Sequence, residues 1–257
     1  MRNPFSKLEP DAVAANTCGV CGSGPLAKHF ECRSLDSGYA PIYRCANCQV
    51  LYNATAEFNA LDVLEWQKRW SEDPEFYRVP SGKELFEKID AAKGVFSFFQ
   101  SALDVKFSGT YVEIGAGSGI MAAAALNYFN QVHALDHVKD RLNKVKAEVT
   151  GKFKGDYHVS DFDDLEGVTA DAILIWHAME HFLDPGGVFQ LCARTLRPSG
   201  ELLIQVPVIS QEHVYPGHYY FYSEATFTKL SEIHGMTVTG FYYDHTMNAM
   251  TVSLRKN

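Results

Sequence analysis

The chain has 257 residues, 46% of them hydrophobic and 21% charged, with 19 Gly and 10 Pro. That mix belongs to a globular protein and excludes collagen-like and largely disordered chains, and the length suits one large domain or one domain plus a small module. The net charge of −8 falls wholly on residues 61–257, the first 60 residues being neutral. It disfavours a nucleic-acid partner and favours a small neutral or cationic substrate. No apolar run approaches the ~18 residues of a membrane span, so no membrane partner is expected. The opening Met-Arg-Asn-Pro-Phe-Ser-Lys-Leu-Glu has no apolar stretch of the secretory kind, and a cytoplasmic location is expected.

Residues 1–15 read as a flexible arm. Two CxxC pairs follow, Cys18 with Cys21 and Cys45 with Cys48, separated by 23 residues. Two such knuckles place four thiolates around one tetrahedral zinc ion. Disulfides fit poorly without a secretory signal, and a redox CxxC would follow a strand of a βαβ unit and would not occur twice. Residues 16–55 are therefore read as a zinc ribbon. Its zinc is structural, because about 35 residues cannot bury enough apolar surface to fold alone. Short extended segments are expected near 26–30 and 41–44. Cys32 and Cys192 read as ordinary thiols.

Residues 56–104 read as a helical connector and lid. One helix is expected over 61–70, broken by Glu72-Asp-Pro-Glu75, with Phe76 and Tyr77 as lid candidates. A longer helix is expected over 82–103, where Leu85, Ile89, Ala92, Phe96 and Phe99 recur at three- and four-residue spacing.

From Thr110 strand-like and helix-like segments alternate. Strands are expected at 111–114, 132–135, 157–159, 170–175 and 201–206, with helices at 120–129, 139–149 and 188–196. Arg197-Pro-Ser-Gly200 reads as a turn. A helix over 224–234 and strands at 237–242 and 249–254 close the chain. Such alternation implies an α/β fold with a mostly parallel sheet covered on both faces. Residues 105–257 are read as this domain.

The chemistry starts between the first strand and helix of the domain, at Tyr-Val-Glu-Ile-Gly-Ala-Gly-Ser-Gly119. Gly115, Gly117 and Gly119 let the backbone turn sharply and approach a ligand. The dinucleotide fingerprint wants Gly or Ala where Ile120 stands. Glu113 would repel a pyrophosphate but suits a ligand carrying an ammonium and a sulfonium, such as S-adenosylmethionine. Asp136, at the end of the second strand, is placed to accept hydrogen bonds from ribose hydroxyls.

Glu113–Gly119 resembles the first motif of class I S-adenosylmethionine-dependent methyltransferases, and Asp136 their acidic second motif. Ser160-Asp161-Phe162 resembles the third, which implies that Asp161 and the backbone N–H of Phe162 read the adenine edge. Ile-Trp-His-Ala-Met-Glu-His181, followed by Asp184-Pro185, resembles the segment after the fourth strand. Leu-Arg-Pro-Ser-Gly-Glu-Leu-Leu-Ile204 resembles the approach to the fifth. The resemblance covers about residues 105–255. It implies a Rossmann-like fold with a mostly parallel seven-stranded sheet. The doubled CxxC in front and Pro-Gly-His-Tyr-Tyr-Phe-Tyr-Ser223 behind extend it to zinc-ribbon methyltransferases acting on sugars and other small metabolites, with Tyr222 where that pattern carries Phe.

Methyl transfer to oxygen or carbon needs a base, and histidine is the commonest one. His181 and His218 are the candidates. His177 is expected to line the methionine end of the cofactor, sharing a face with His181 if the stretch is helical, and His137 to cover the adenine. Glu180 accompanies His181 in the resemblance. The spacing of His177, Glu180 and His181 is reminiscent of a metal pair, but the HExxH order is absent. Tyr219, Tyr220 and Tyr222, with Tyr77, are candidate walls for a small-molecule acceptor. Three competing readings are an RNA methyltransferase, a non-catalytic binding protein on the same fold, and a nicotinamide enzyme. The charge balance opposes the first, the intact glycine loop with its acidic partners opposes the second, and Ile120 with Glu113 opposes the third.

Overall fold

The computed structural model describes residues 18–23, 26–34, 38–54, 78–103, 107–215 and 217–257. The expected arm at 1–15, the helix at 61–70 and Tyr77 lie outside the described residues.

The main sheet has seven strands in the order β10-β11-β8-β7-β4-β5-β6. They are β4 (Thr110–Ile114), β5 (Gln131–Leu135), β6 (Asp156–Ser160), β7 (Ala170–Trp176), β8 (Leu196–Pro207), β10 (Met236–Asp244) and β11 (Ala249–Lys256). Strands β4 to β8 run parallel, and the β10–β11 hairpin adds an antiparallel edge against β8. Alternation along the strands feeds two cores. Val112, Ile114, Ile173 and Ile175 face one side with α4 (Pro185–Thr195) and α5 (Glu224–His234). Tyr111, Ala172 and Leu174 face the other with α1 (Gly82–Leu103), α2 (Ile120–Ala125) and α3 (Lys139–Val149). The α1 stripe buries Leu85, Ile89, Phe96 and Phe99 as its spacing predicts.

Local signals set several helix ends. Asp184 accepts from Gly187 N ahead of Pro185 to start α4, and Ser223 and Thr226 form a reciprocal capping box at α5. Gly235, at φ 65°, ends α5. Helix α2 stops at Ala125, short of the expected 129, where Asn127 Nδ2–H bonds back to Ala124 O at 2.9 Å. The expected turn at 197–200 bulges out of β8: the β7 register jumps from Ala170–Leu196 to Ala172–Glu201, with Ser199 at φ 60°.

A second sheet holds β1 (Leu26–Ser34), β2 (Gly38–Cys45) and β3 (Leu51–Asn53), and its fourth strand is β9 (Tyr220–Phe221). Leu51 and Tyr52 pair antiparallel with Phe221 and Tyr220. The cysteine-rich segment thus shares a sheet with the loop that carries His218. Among the described residues no helix is long and apolar enough to cross a membrane.

Candidate active site

In an open α/β sheet, ligands bind outside the carboxyl ends of the strands where the strand order reverses. Here that point lies between β4 and β7. The glycine loop leaves β4 there, with Gly115 N and Ala116 N donating to Leu135 O at 2.9 Å. Gly115, at φ 78°, presses on Ala178 so closely that a Cβ would collide with it. Gly117, at φ 53°, is different: among the described residues a Cβ there would meet nothing within 4 Å. The loop backbone is open on that side, as a cofactor cradle requires. Gly119 abuts Tyr157 and Leu142.

Asp136 braces this loop. Its carboxylate accepts from Gly117 N at 2.8 Å and from Val138 N at 2.9 Å. Burial works to raise its carboxyl, but the donors of His137, Val138 and Gly117 overcome that and hold it below the usual carboxylate range. A carboxylate offers about four acceptor sites; Gly117 N, Val138 N and His137 Nδ1 take three, which leaves one for a ribose hydroxyl. Glu113 lies beneath the loop, 2% exposed, with Tyr111 Oη–H donating at 3.4 Å. Burial pushes its carboxyl well above the usual range. Asp161 pairs with Lys139, its own N–H donating to Asp164 at 2.7 Å. Phe162 packs against the core, and His137 stands exposed beside Asp136.

The four knuckle cysteines converge, with all four Sγ atoms within 4.8 Å of one another. The Cys18–Cys48 and Cys21–Cys45 Sγ pairs are each 3.7 Å apart. A tetrahedron built on ~2.3 Å Zn–S bonds has edges of about 3.8 Å, whereas a disulfide would need about 2.05 Å. Bonding with the Cys48 thiol pulls the Cys18 thiol down to about 5. Asn47 Nδ2–H donates to Cys21 Sγ at 3.5 Å. The donor set fits a structural zinc ion.

A third group of residues lies at the end of β7. His177 sits at φ 49°, left-handed for a non-glycine residue, and a 3-10 turn covers Met179–His181. His177 and His181 are therefore not a helical i, i+4 pair. They converge instead on Glu180, which is 0% exposed. Its Oε1 lies 3.8 Å from His177 Nδ1, 4.0 Å from His181 Nε2 and 3.9 Å from His218 Nε2. Burial works to raise the Glu180 carboxyl, and the three imidazoles outweigh it and hold it below its ordinary value.

The two candidate bases differ. His218 is 5% exposed; its Nδ1–H donates to His213 O at 2.8 Å and its Nε2 accepts from Tyr215 Oη–H at 2.5 Å. Burial, with His181 adding to it, pushes His218 down to about 3. The His181 side chain is 34% exposed. Its Nδ1–H donates to Gly217 O at 2.7 Å, which leaves Nε2 with a free lone pair.

Residues 112–204 match the family described as "Methyltransferase domain". Residues 112–204 thus carry a methyltransferase domain. A ubiquinone biosynthesis O-methyltransferase of Xanthomonas oryzae pv. oryzae is 26% identical over 97 residues, 36% of this chain and 41% of that protein. One from Idiomarina loihiensis is 23% identical over 174 residues, 62% of this chain and 66% of that protein. The chain thus spans less than two thirds of the length of the first curated relatives it matches. Among solved structures, magnesium protoporphyrin IX methyltransferase from Synechocystis PCC 6803, with bound S-adenosylmethionine, shares the fold at a TM-score of 0.55. It is 11% identical, with 76% of this chain and 97% of that chain covered.

The expected aromatic wall is drawn into the core. Tyr222 is buried, stacks on Phe227 at 5.3 Å and donates its hydroxyl to Met179 O at 3.0 Å. Tyr220 packs on Tyr52 at 5.3 Å across the seam between β9 and β3. Tyr219 is buried and its N–H donates to Glu180 O at 2.9 Å. The three rings lie in the core shared with the cysteine-rich sheet, because the β3–β9 pairing turns their loop inward.

Sequence reasoning missed two residues of this neighbourhood. Asn53 is fully buried, and its Nδ2–H donates to Tyr215 O and His218 O at 3.1 Å each. His213 supplies the carbonyl that orients His218. The polar Asn53 ending an apolar strand was a visible signal; the role of a backbone carbonyl carries none.

Proposed function

We propose that this protein transfers a methyl group from S-adenosylmethionine to an oxygen or carbon of a small-molecule metabolite, a sugar or natural-product intermediate, with His181 taking the acceptor's proton. S-adenosylmethionine supplies an electrophilic methyl on a sulfonium. The glycine loop would hold it, with Glu113 toward its ammonium, Asp136 toward its ribose, Asp161 and Phe162 toward its adenine, His137 over that ring and His177 at the methionine end. The similarity to ubiquinone biosynthesis O-methyltransferases supports an oxygen acceptor.

The observation that carries the assignment is the contrast between the histidines. His181, on a side chain 34% exposed, has an Nε2 that no hydrogen bond among the described residues occupies, while both nitrogens of His218 are engaged. Glu180 is 4.0 Å from His181 Nε2, where its charge favours the imidazolium formed on proton transfer. His218 then positions rather than reacts. The ribbon of residues 16–55, holding zinc on Cys18, Cys21, Cys45 and Cys48, and the connector of 56–104 would wall one side of the acceptor cleft.

The test is turnover with a panel of hydroxylated metabolites, read as S-adenosylhomocysteine formed. His181→Ala is expected to lower kcat by about 10²–10⁴-fold, the usual worth of a general base, with cofactor affinity unchanged. His181→Ala turning over like the native protein would refute the base assignment.

A further inference from the structure

The Glu180 carboxylate is sealed from solvent, yet neither oxygen has a hydrogen-bond partner among the described residues. An ionised group so placed carries a desolvation cost of several kcal/mol unless a cation faces it. What faces it is nitrogen. His181 and His218 each donate Nδ1–H to a backbone carbonyl, Gly217 O at 2.7 Å and His213 O at 2.8 Å. Both Nε2 atoms stand beside the carboxylate, His181 at 4.0 Å with its lone pair free and His218 at 3.9 Å with its lone pair on the Tyr215 hydroxyl. A carboxylate and a free lone pair this close repel one another unless positive charge sits between them. A backbone carbonyl on the far ring nitrogen is also the outer-shell arrangement that orients metal-binding histidines.

We propose that Glu180, His181 and His218 form a second metal site, for a divalent first-row cation that prefers nitrogen and oxygen ligands. Their three ligand atoms already lie within 4.8 Å of one another. Bonds of ~2.0–2.2 Å require them to close by about an ångström, which side-chain rotation supplies. The Tyr215 hydroxyl, now donating to His218 Nε2 at 2.5 Å, turns away as the cation takes that lone pair. His177 stands in reserve, its Nδ1 3.8 Å from Glu180 Oε1 and its buried Nε2 without a partner among the described residues. Two histidines and one carboxylate leave coordination positions open. The segments holding the ligands are fixed from outside the cluster, by the Tyr219 N–H on Glu180 O at 2.9 Å and by Asn53 on the His218 loop.

The location rests on the cleft proposed above, but the binding is independent of catalysis. Cation and proton compete for the same Nε2 of His181, so a bound cation slows turnover. The experiment is a Co²⁺ titration of the full chain with its cysteine site already filled by Zn²⁺, followed by visible absorption. The expected result is saturation at about one Co²⁺ per chain, with ligand-field bands and no thiolate charge-transfer band. His181→Ala, a partly exposed position, and Glu180→Gln should each weaken it at least tenfold. No saturable Co²⁺ binding, a thiolate charge-transfer band, or unchanged affinity in folded His181→Ala would overturn the proposal. None of these results bears on the base assignment, which turnover of His181→Ala without added metal tests separately.

Discussion

Replacing Asp136 tests how the glycine loop is held. Its two oxygens each take one backbone N–H, Gly117 at 2.8 Å and Val138 at 2.9 Å. A hydrogen bond to a charged group is worth about 1.5–3 kcal/mol. Asp136→Asn keeps one acceptor and turns an NH₂ toward the other donor, so it should cost about 1.5–3 kcal/mol. Asp136→Ala removes both acceptors, but water can reach these part-buried donors, and about 2–4 kcal/mol is expected rather than the full sum. Urea unfolding, with the slope unchanged, reads both values. The pH dependence supplies a second signature. The folded Asp136 carboxyl lies below its unfolded value of ~3.9, so its contribution is complete above that pH. It is lost as pH falls through the folded value, and the gap between native protein and Asp136→Asn should close there. Asp136→Ala should also weaken S-adenosylhomocysteine binding at least tenfold. A stability ranking with Asn equal to native and Ala within 0.5 kcal/mol would refute the bracing role, since that is the scatter of ordinary surface changes.

Two further outcomes follow from buried groups. Tyr222→Phe should destabilise by about 1–3 kcal/mol, measured by urea unfolding, because the buried Met179 carbonyl loses its donor; a neutral substitution would return Tyr222 to the acceptor wall. Burial holds the Glu113 carboxyl well above the ordinary range, so it destabilises the fold as pH rises through its folded value. A cofactor ammonium beside it would lower that value. Glu113→Gln should therefore weaken S-adenosylhomocysteine binding in a calorimetric titration at fixed pH, and unchanged affinity would place Glu113 away from the ammonium.

Much of the fold was legible because local pattern and tertiary burial agree. The three- and four-residue spacing of Leu85, Ile89, Ala92, Phe96 and Phe99 marked α1 with its observed ends, and strand–helix alternation from Thr110 marked the parallel sheet. What stayed hidden is non-local. Strand β9 is two residues long and exists only because Leu51 and Tyr52 pair with it. That pairing buries Tyr219, Tyr220 and Tyr222, which a sequence shows only as a polar-tipped aromatic run. The i, i+4 spacing of His177 and His181 suggested one helical face, but the left-handed backbone at His177 and the 3-10 turn bring both to Glu180 by another route. The cysteine spacing, by contrast, needed no context, since two CxxC knuckles meet wherever the intervening hairpin closes, and β1 and β2 close it.

The most direct test of the central claim is a calorimetric titration of the zinc-loaded full chain with S-adenosylhomocysteine. Saturable binding at about one site per chain, micromolar or tighter, is the expected result. Folded, zinc-loaded protein that shows no binding would contradict the assignment of the glycine loop, Glu113 and Asp136 to the cofactor.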